Sequence, residues 1–301
     1  MKSKVVINLE YLALKSVQSL FNALSYKAAL RFARALGWMA FNVFRYRRSR
    51  TLSRIRSVFP EKSEREVKAI ALKSIQNLLM NAAEMMRSSK FNVEWMDEYV
   101  KDGRLYRDQL KALVDEGKGV VIMVPHSGNW YMAAWAMAKY GVKLFAIAAR
   151  QRNPKLERWM NEQYGEVEVL DRDEKQTLVK IARKLKDGEA FAILPDLRVR
   201  HEDVDAEFLG GHANVSRAGA AFAVKYGSPI VVAQMRRENG KHVFNYIATL
   251  RPDPQAADKK EEAARLTREA LKLLSDAIRL YPGDWFWYNK RWILEPVHKE
   301  K

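Results

Sequence analysis

One histidine in this chain is delivered to a place where it could do chemistry. In VIMVPHSGNWY (residues 121–131), four apolar residues and a proline lead to His126, and a small-residue turn then feeds the alanine-rich stretch MAAWAMAKY. An imidazole titrates near neutral pH, so at the end of a strand it can act as general base toward a hydroxyl. A carboxylate nearby would fix its tautomer and stabilise the imidazolium. The position five residues on, however, is Tyr131. A phenol, with a pKa of about 10, can hydrogen-bond an imidazole but supplies no negative charge at neutral pH. Asp196, which closes the run AFAILPD, is the first carboxylate expected at the same sheet edge.

Other chemistries are excluded or weakened by composition. The 301 residues include no cysteine, which removes disulfides, thiolate catalysis and cysteine-based zinc sites. The loop HEDVDAEFLGGH carries two histidines and four acids, but their spacing matches no zinc signature, so neither a metal nor a cofactor is expected. Arg150, directly after KLFAIAA, has the fork geometry to hold a phosphate; its plainer reading is a surface arginine. Gly210, Gly211 and Ser216 precede the helical stretch SRAGAAFAVKY and read as a loop and N-cap.

The elements that must position these groups fall into two textures. From Asn8 to about Glu116 apolar residues recur at three- and four-residue spacing, which predicts helices. Ser63 with Glu66 forms a capping-box signature, and Leu72, Ile75, Leu79 and Ala82 are expected on one face of the helix that follows. After Gly117, short β-rich runs (VVIMVP, KLFAIAA, EVEVL, AFAILPD, PIVVAQM, HVFNYIATL) alternate with helical ones, and a last helix is expected over roughly 261–280. That alternation predicts an α/β sheet covered by helices, with residues 1–116 as a helical extension and cap and residues 117–301 as the body of one unit. In open α/β sheets ligands collect at the carboxyl ends of strands, where His126 and Asp196 are both expected.

Net charge is +17, from 53 Lys and Arg against 36 Asp and Glu, which suits phosphate-rich or acidic partners. Six arginines lie between Arg45 and Arg56, directly after the amphipathic ALRFARALGWMAFNVF. Apolar residues Leu36, Trp38, Met39 and Phe41 beside that cluster predict binding to an anionic membrane surface, the alternative being a docking helix followed by a solvated basic turn. Charges interrupt every apolar stretch, so no spanning helix is expected, and the N-terminus lacks the continuous core of a signal peptide. No nucleic-acid recognition motif is present.

Several stretches together resemble the bacterial late acyltransferases of lipid A biosynthesis, a family that includes phosphatidylinositol mannoside acyltransferases. They are VFPEKSEREVKAIALKSIQNL, VPHSGNW, ARQRNPKLERWM, AFAILPD, AEFLGGHANVSRAGAAFAVKYGSPIVVA and YPGDWFWYNKRWILEP, and in this order they cover nearly the whole chain. The resemblance implies a glycerolipid-acyltransferase-like fold and transfer of a fatty acyl chain from a thioester, on acyl carrier protein or coenzyme A, to a lipid hydroxyl. It further implies a peripheral position at the cytoplasmic face of a bacterial inner membrane. His126 matches the family's histidine and Asp196 a family aspartate. Tyr131 stands where the family has an aspartate or glutamate, and Tyr164 where some members have an arginine. Asn129, Arg150 and Tyr164 are assigned to substrate binding, and His126, Asp196 and Tyr131 to catalysis. The closing motif, with Trp285, Trp287 and Trp292, is expected to pack structurally, outside the site. Because the dyad position is a tyrosine, a non-catalytic lipid-binding relative remains the second reading.

Overall fold

A computed structural model describes residues 3–295; Met1, Lys2 and residues 296–301, including Pro296 of the closing motif, lie outside the described part. The N-terminal portion forms α1 (Lys4–Ala23), α2 (Tyr26–Asn42), α3 (Arg48–Val58), α4 (Glu64–Met86) and α5 (Val93–Tyr99). Then come a short strand β1 (Val100–Lys101) and α6 (Gly103–Val114). β2 (Val120–Met123), α7 (Trp130–Lys139), β3 (Leu144–Ala148), α8 (Pro154–Tyr164), β4 (Glu168–Asp171), α9 (Thr177–Lys186) and β5 (Ala190–Ile193) alternate as expected. The chain continues through β6 (Val204–Phe208), β7 (Gly211–Val215), α10 (Ala218–Tyr226), β8 (Ile230–Glu238), β9 (Lys241–Leu250) and α11 (Lys259–Leu280).

The main sheet has the order β1-β9-β8-β2-β5-β3-β4. All its pairings are parallel except β8 with β9, so the sheet is mixed. β2 lies between β8 and β5, with Met123 opposite Ile193. Side chains alternate across the sheet. Ile122 and Val124 therefore join a core with α5, α6 and α7 on one face, while Val121, Met123 and Phe191 join a core with α3, α4, α10 and α11 on the other.

The capping box at Ser63 and Glu66 forms as the sequence predicts. The expected stripe of α4 forms in part: Ile75 is buried and Leu72 and Leu79 pack half-buried on the core, but Ala82 is exposed, and Val67, Ala71 and Ser74 are also inside. Three strands fall where none was expected. β1 lies inside the stretch read as helical and pairs with β9. The loop read as merely polar contains the β6–β7 hairpin, whose Val204, Ala206 and Phe208 are buried while Asp205 and Glu207 face out. Its two-residue turn, Leu209–Gly210, has φ of 52° and 81°, the left-handed pair a tight hairpin requires.

Among the described residues no helix is long and apolar enough to cross a membrane. The arginine run is largely engaged within the protein. Arg47 donates to the Tyr288 carbonyl, and Arg54 to the Trp287 and Asn289 carbonyls. Arg56 pairs with Glu64, and Arg48 lies 4.6 Å from the Phe41 ring centre. Phe41 itself is buried, contrary to the expected apolar patch, whereas Trp38 and Met39 are exposed.

Candidate active site

His126 and Asp196 are 70 residues apart in sequence and meet because their strands are neighbours. Met123 and Ile193 are register partners, and each functional residue stands three positions beyond its partner (123 to 126, 193 to 196). The Asp196 carboxylate is fully buried and receives three hydrogen bonds. Its Oδ1 is 2.7 Å from His126 Nδ1, while Oδ2 accepts from the His126 backbone amide and from the Trp285 indole, each at 2.7 Å. Burial would raise its pKa, but the His126 charge and these hydrogen bonds outweigh it and hold the carboxyl below the ordinary aspartate value. An ionised Asp196 only accepts, so Nδ1 carries a proton and, in the neutral ring, the lone pair lies on Nε2. Nε2 has no protein partner among the described residues, and the ring lines a cavity. Trp130 closes on the imidazole edge-to-face, with centres 5.1 Å apart.

The turn that carries His126 is locked from two directions. The C-terminal segment crosses it: Phe286 N–H donates to the His126 carbonyl, Gly128 N–H donates to the Asp284 carbonyl, and Ser127 bridges Trp285. Gly128 has φ of 56°, and a Cβ there would stand 2.2 Å from the Met235 carbonyl oxygen, so only glycine fits. From below, Asn81 donates to the Gly128 carbonyl at 2.5 Å. The amides of His126, Ser127 and Gly128 are all satisfied internally, so the turn does not present them as oxyanion donors.

Beneath the turn lies a polar cluster that the sequence did not reveal. Glu84 of α4 is fully buried and accepts from Arg237 at 2.6 and 2.8 Å, Tyr26 at 2.7 Å and Asn129 at 2.7 Å, with His242 Nε2 at 2.9 Å. Desolvation opposes its charge, yet Arg237 and His242 win and hold the carboxyl well below the usual range. Burial in turn pushes the His242 imidazole down.

The remaining expected residues separate. Asn129 is fully buried, caps α7 by accepting from Met132 N–H, and donates to Glu84. It faces this cluster and not the cavity, because the cap geometry turns its side chain inward. Arg150 is exposed and pairs with Asp171 at 2.8 Å, outside the cavity lining. Tyr131 and Tyr164 do line the cavity, with ring centres 6.2 Å apart. Tyr131 lies against Trp130 and stacks on Trp135, and the imidazole is not among its partners. Burial raises both phenols, so they are neutral at physiological pH. Trp285, expected to be structural only, touches the dyad directly; its indole N–H, a donor needing a partner when buried, was the available signal.

The cavity has a volume of about 610 Å³. Apart from His126 its walls are dominated by aliphatic and aromatic side chains such as Ile122, Val124, Met137, Ile181, Phe222 and Phe244. No cluster of three or more histidine or acidic side chains suited to a metal occurs among the described residues.

A sequence profile of the bacterial lipid A biosynthesis acyltransferases matches residues 5–293. The chain belongs to that family. It is 24% identical over 196 residues to a phosphatidylinositol mannoside acyltransferase of Mycolicibacterium smegmatis, a match covering 62% of this chain and 61% of that protein. It is also 24% identical over 194 residues to the Mycobacterium tuberculosis protein of the same name, covering 62% and 59%. The chain thus spans about three fifths of the length of the curated relatives it matches.

Proposed function

We propose that this protein transfers a fatty acyl chain from a thioester, on acyl carrier protein or coenzyme A, to a hydroxyl of a glycolipid or related lipid. The observation that carries the reading is a buried, ionised Asp196 holding His126 with Nε2 free at the wall of an apolar cavity. In the proposed step, Nε2 takes the proton of the acceptor hydroxyl as its oxygen attacks the thioester carbonyl. The new C–O bond forms, the C–S bond breaks, and the imidazolium returns the proton to the departing sulfur. Asp196 keeps its charge throughout and stabilises the imidazolium. Because Asp196 supplies the carboxylate, the tyrosine at 131 no longer argues for a non-catalytic protein.

The same reading has the protein work as a peripheral protein at the cytoplasmic face of the bacterial inner membrane. Support comes from α1, where Val5, Leu9, Leu12 and Leu20 are each at least 48% exposed and fall on one helical stripe. Trp38, Val43 and Phe44 add apolar surface at the end of α2.

The test is incubation of purified protein with an acyl-coenzyme A, or with acylated carrier protein, and a panel of bacterial lipids, read by mass spectrometry. A product heavier by one acyl chain that is absent with His126→Ala supports the reading. Transfer undiminished in that variant overturns the mechanism, and no product with any lipid overturns the function.

A further inference from the structure

The cavity is lined from both faces of the sheet. Ile122, Val124, Met137, Val231 and Phe244 belong to the core under α6 and α7, whereas Ile147, Ile181, Phe191, Ile193 and Phe222 belong with the opposite core, under α9 and α10. Side chains from opposite faces of one sheet can line a single space only where the sheet ends. The lining at that point is Ala148, which ends β3, with Ala149 after it, and Leu194 and Pro195 beyond β5. His126 stands at the same edge, three residues past the end of β2. The cavity therefore has two apolar arms that join beside the imidazole.

The arms differ in their access. In the α7 arm, Leu110, Met137, Val231, Ala233 and Phe244 are all buried. In the α9 arm the lining includes Leu178, 65% exposed, and Leu197, 38% exposed, with Val179 next to them 70% exposed. Large aliphatic side chains that line a cavity and also face outward form an apolar mouth, suited to a chain that enters while the rest of its molecule stays outside.

We propose that the cavity holds two hydrocarbon chains at once: the donor's acyl chain in the closed α7 arm, and a tail of the lipid acceptor in the open α9 arm. This rests on the acyl-transfer reading above. Two chains lying in arms that meet at His126 bring the thioester carbonyl and the acceptor hydroxyl together without either substrate crossing the other's path. It makes the hydrocarbon of the acceptor, and not only its headgroup, a determinant of specificity.

Photolabelling of the full chain tests the assignment with two probes, a coenzyme A thioester and a phosphatidylinositol, each with a diazirine near the end of one chain. The expected result is labelling of α6, α7 and β9 by the thioester probe and of α9 and α10 by the lipid probe. Both probes labelling the same arm, or the lipid probe labelling only the exterior, overturns the proposal even if acyl transfer is observed. Separate labelling of the two arms without transfer to any lipid supports it while rejecting the proposed function. A second measurement uses Ala218→Phe, which fills the α9 arm from the start of α10. It should raise KM for a tailed lipid acceptor by about tenfold, the worth of about two buried methylenes, and leave KM for the thioester unaltered. Equal increases for both substrates count against separate arms.

Discussion

At the scale of single residues, the site divides the work of one carboxylate among three donors. His126→Ala removes the proton acceptor and should lower kcat by about 10²–10⁴, the range for general base catalysis, in a thioester-release assay. Asp196→Asn should cost a similar factor, as loss of charge behind a catalytic imidazole costs about 10⁴ in serine proteases. Tyr131→Phe should change kcat little, since the phenol lies among aromatics and does not hold the imidazole. For the same reason a glutamate at 131 would be a second, buried carboxylate with no imidazole to orient, and Tyr131→Glu should lower activity. Trp285→Phe isolates one donor. It keeps a ring beside Trp287 and Phe208 but deletes the N–H to Asp196, a hydrogen bond to a charge worth about 1.5–3 kcal/mol. We expect kcat about tenfold lower and a displaced acid limb in the pH–rate profile; an unchanged profile assigns Trp285 to packing alone.

At the scale of elements, the parts legible in the sequence are those with one strong period. β2, β3, β5, β8 and β9 announce themselves as apolar runs, and the α4 start as a capping box. The meeting of His126 with Asp196 could be anticipated only as a shared sheet edge, because strand order, which puts β5 beside β2, is not written locally. The β6–β7 hairpin was obscured because its alternating charges resemble a loop and its turn begins with Leu209, not the usual asparagine or glycine. Glu84 was invisible for a related reason: a glutamate in a helix reads as surface, and its partners Arg237 and His242 come from distant strands. Removing it should be severe. Glu84→Ala leaves Arg237 buried without its partner and should cost about 3–5 kcal/mol in denaturant unfolding. Because pairing holds Glu84 below its unfolded value of about 4.3, its contribution is complete above that pH and is lost as pH falls through the folded value. The melting temperature of the native protein should therefore drop steeply below about pH 4, and that of Glu84→Gln less steeply.

For the molecule as a whole, the helical part and the sheet share structural duties. α4 supplies Glu84 and Asn81 under the histidine turn and Ser74 to the Trp285 carbonyl, so we expect residues 117–301 expressed alone not to fold, as judged by thermal melts. On the proposed peripheral reading, attachment depends on the α1 stripe more than on the arginine run. Leu9→Asp with Leu12→Asp should weaken flotation with anionic vesicles by more than tenfold, given about 1.5–3 kcal/mol for each leucine buried. Reversing Arg47, Arg48 and Arg50 should instead lower stability, because Arg47 and Arg48 hold the C-terminal segment and Phe41. Unchanged flotation of the double leucine variant would remove α1 as the anchor.

The crossing of residues 284–286 over the histidine turn also has a consequence in time. Synthesis proceeds from the N-terminus, and domains begin folding before the chain is finished. While β2 and β5 can pair once residue 196 has emerged, the indole that holds Asp196 is made 89 residues later, together with the strand-like segment that fixes the His126 carbonyl. A nascent chain, or one cut short just before Tyr281, would carry both members of the dyad and yet leave them unclamped. On the proposed function, activity would wait for this segment, and ribosome-bound chains lacking it should bind acyl thioesters before they can use them.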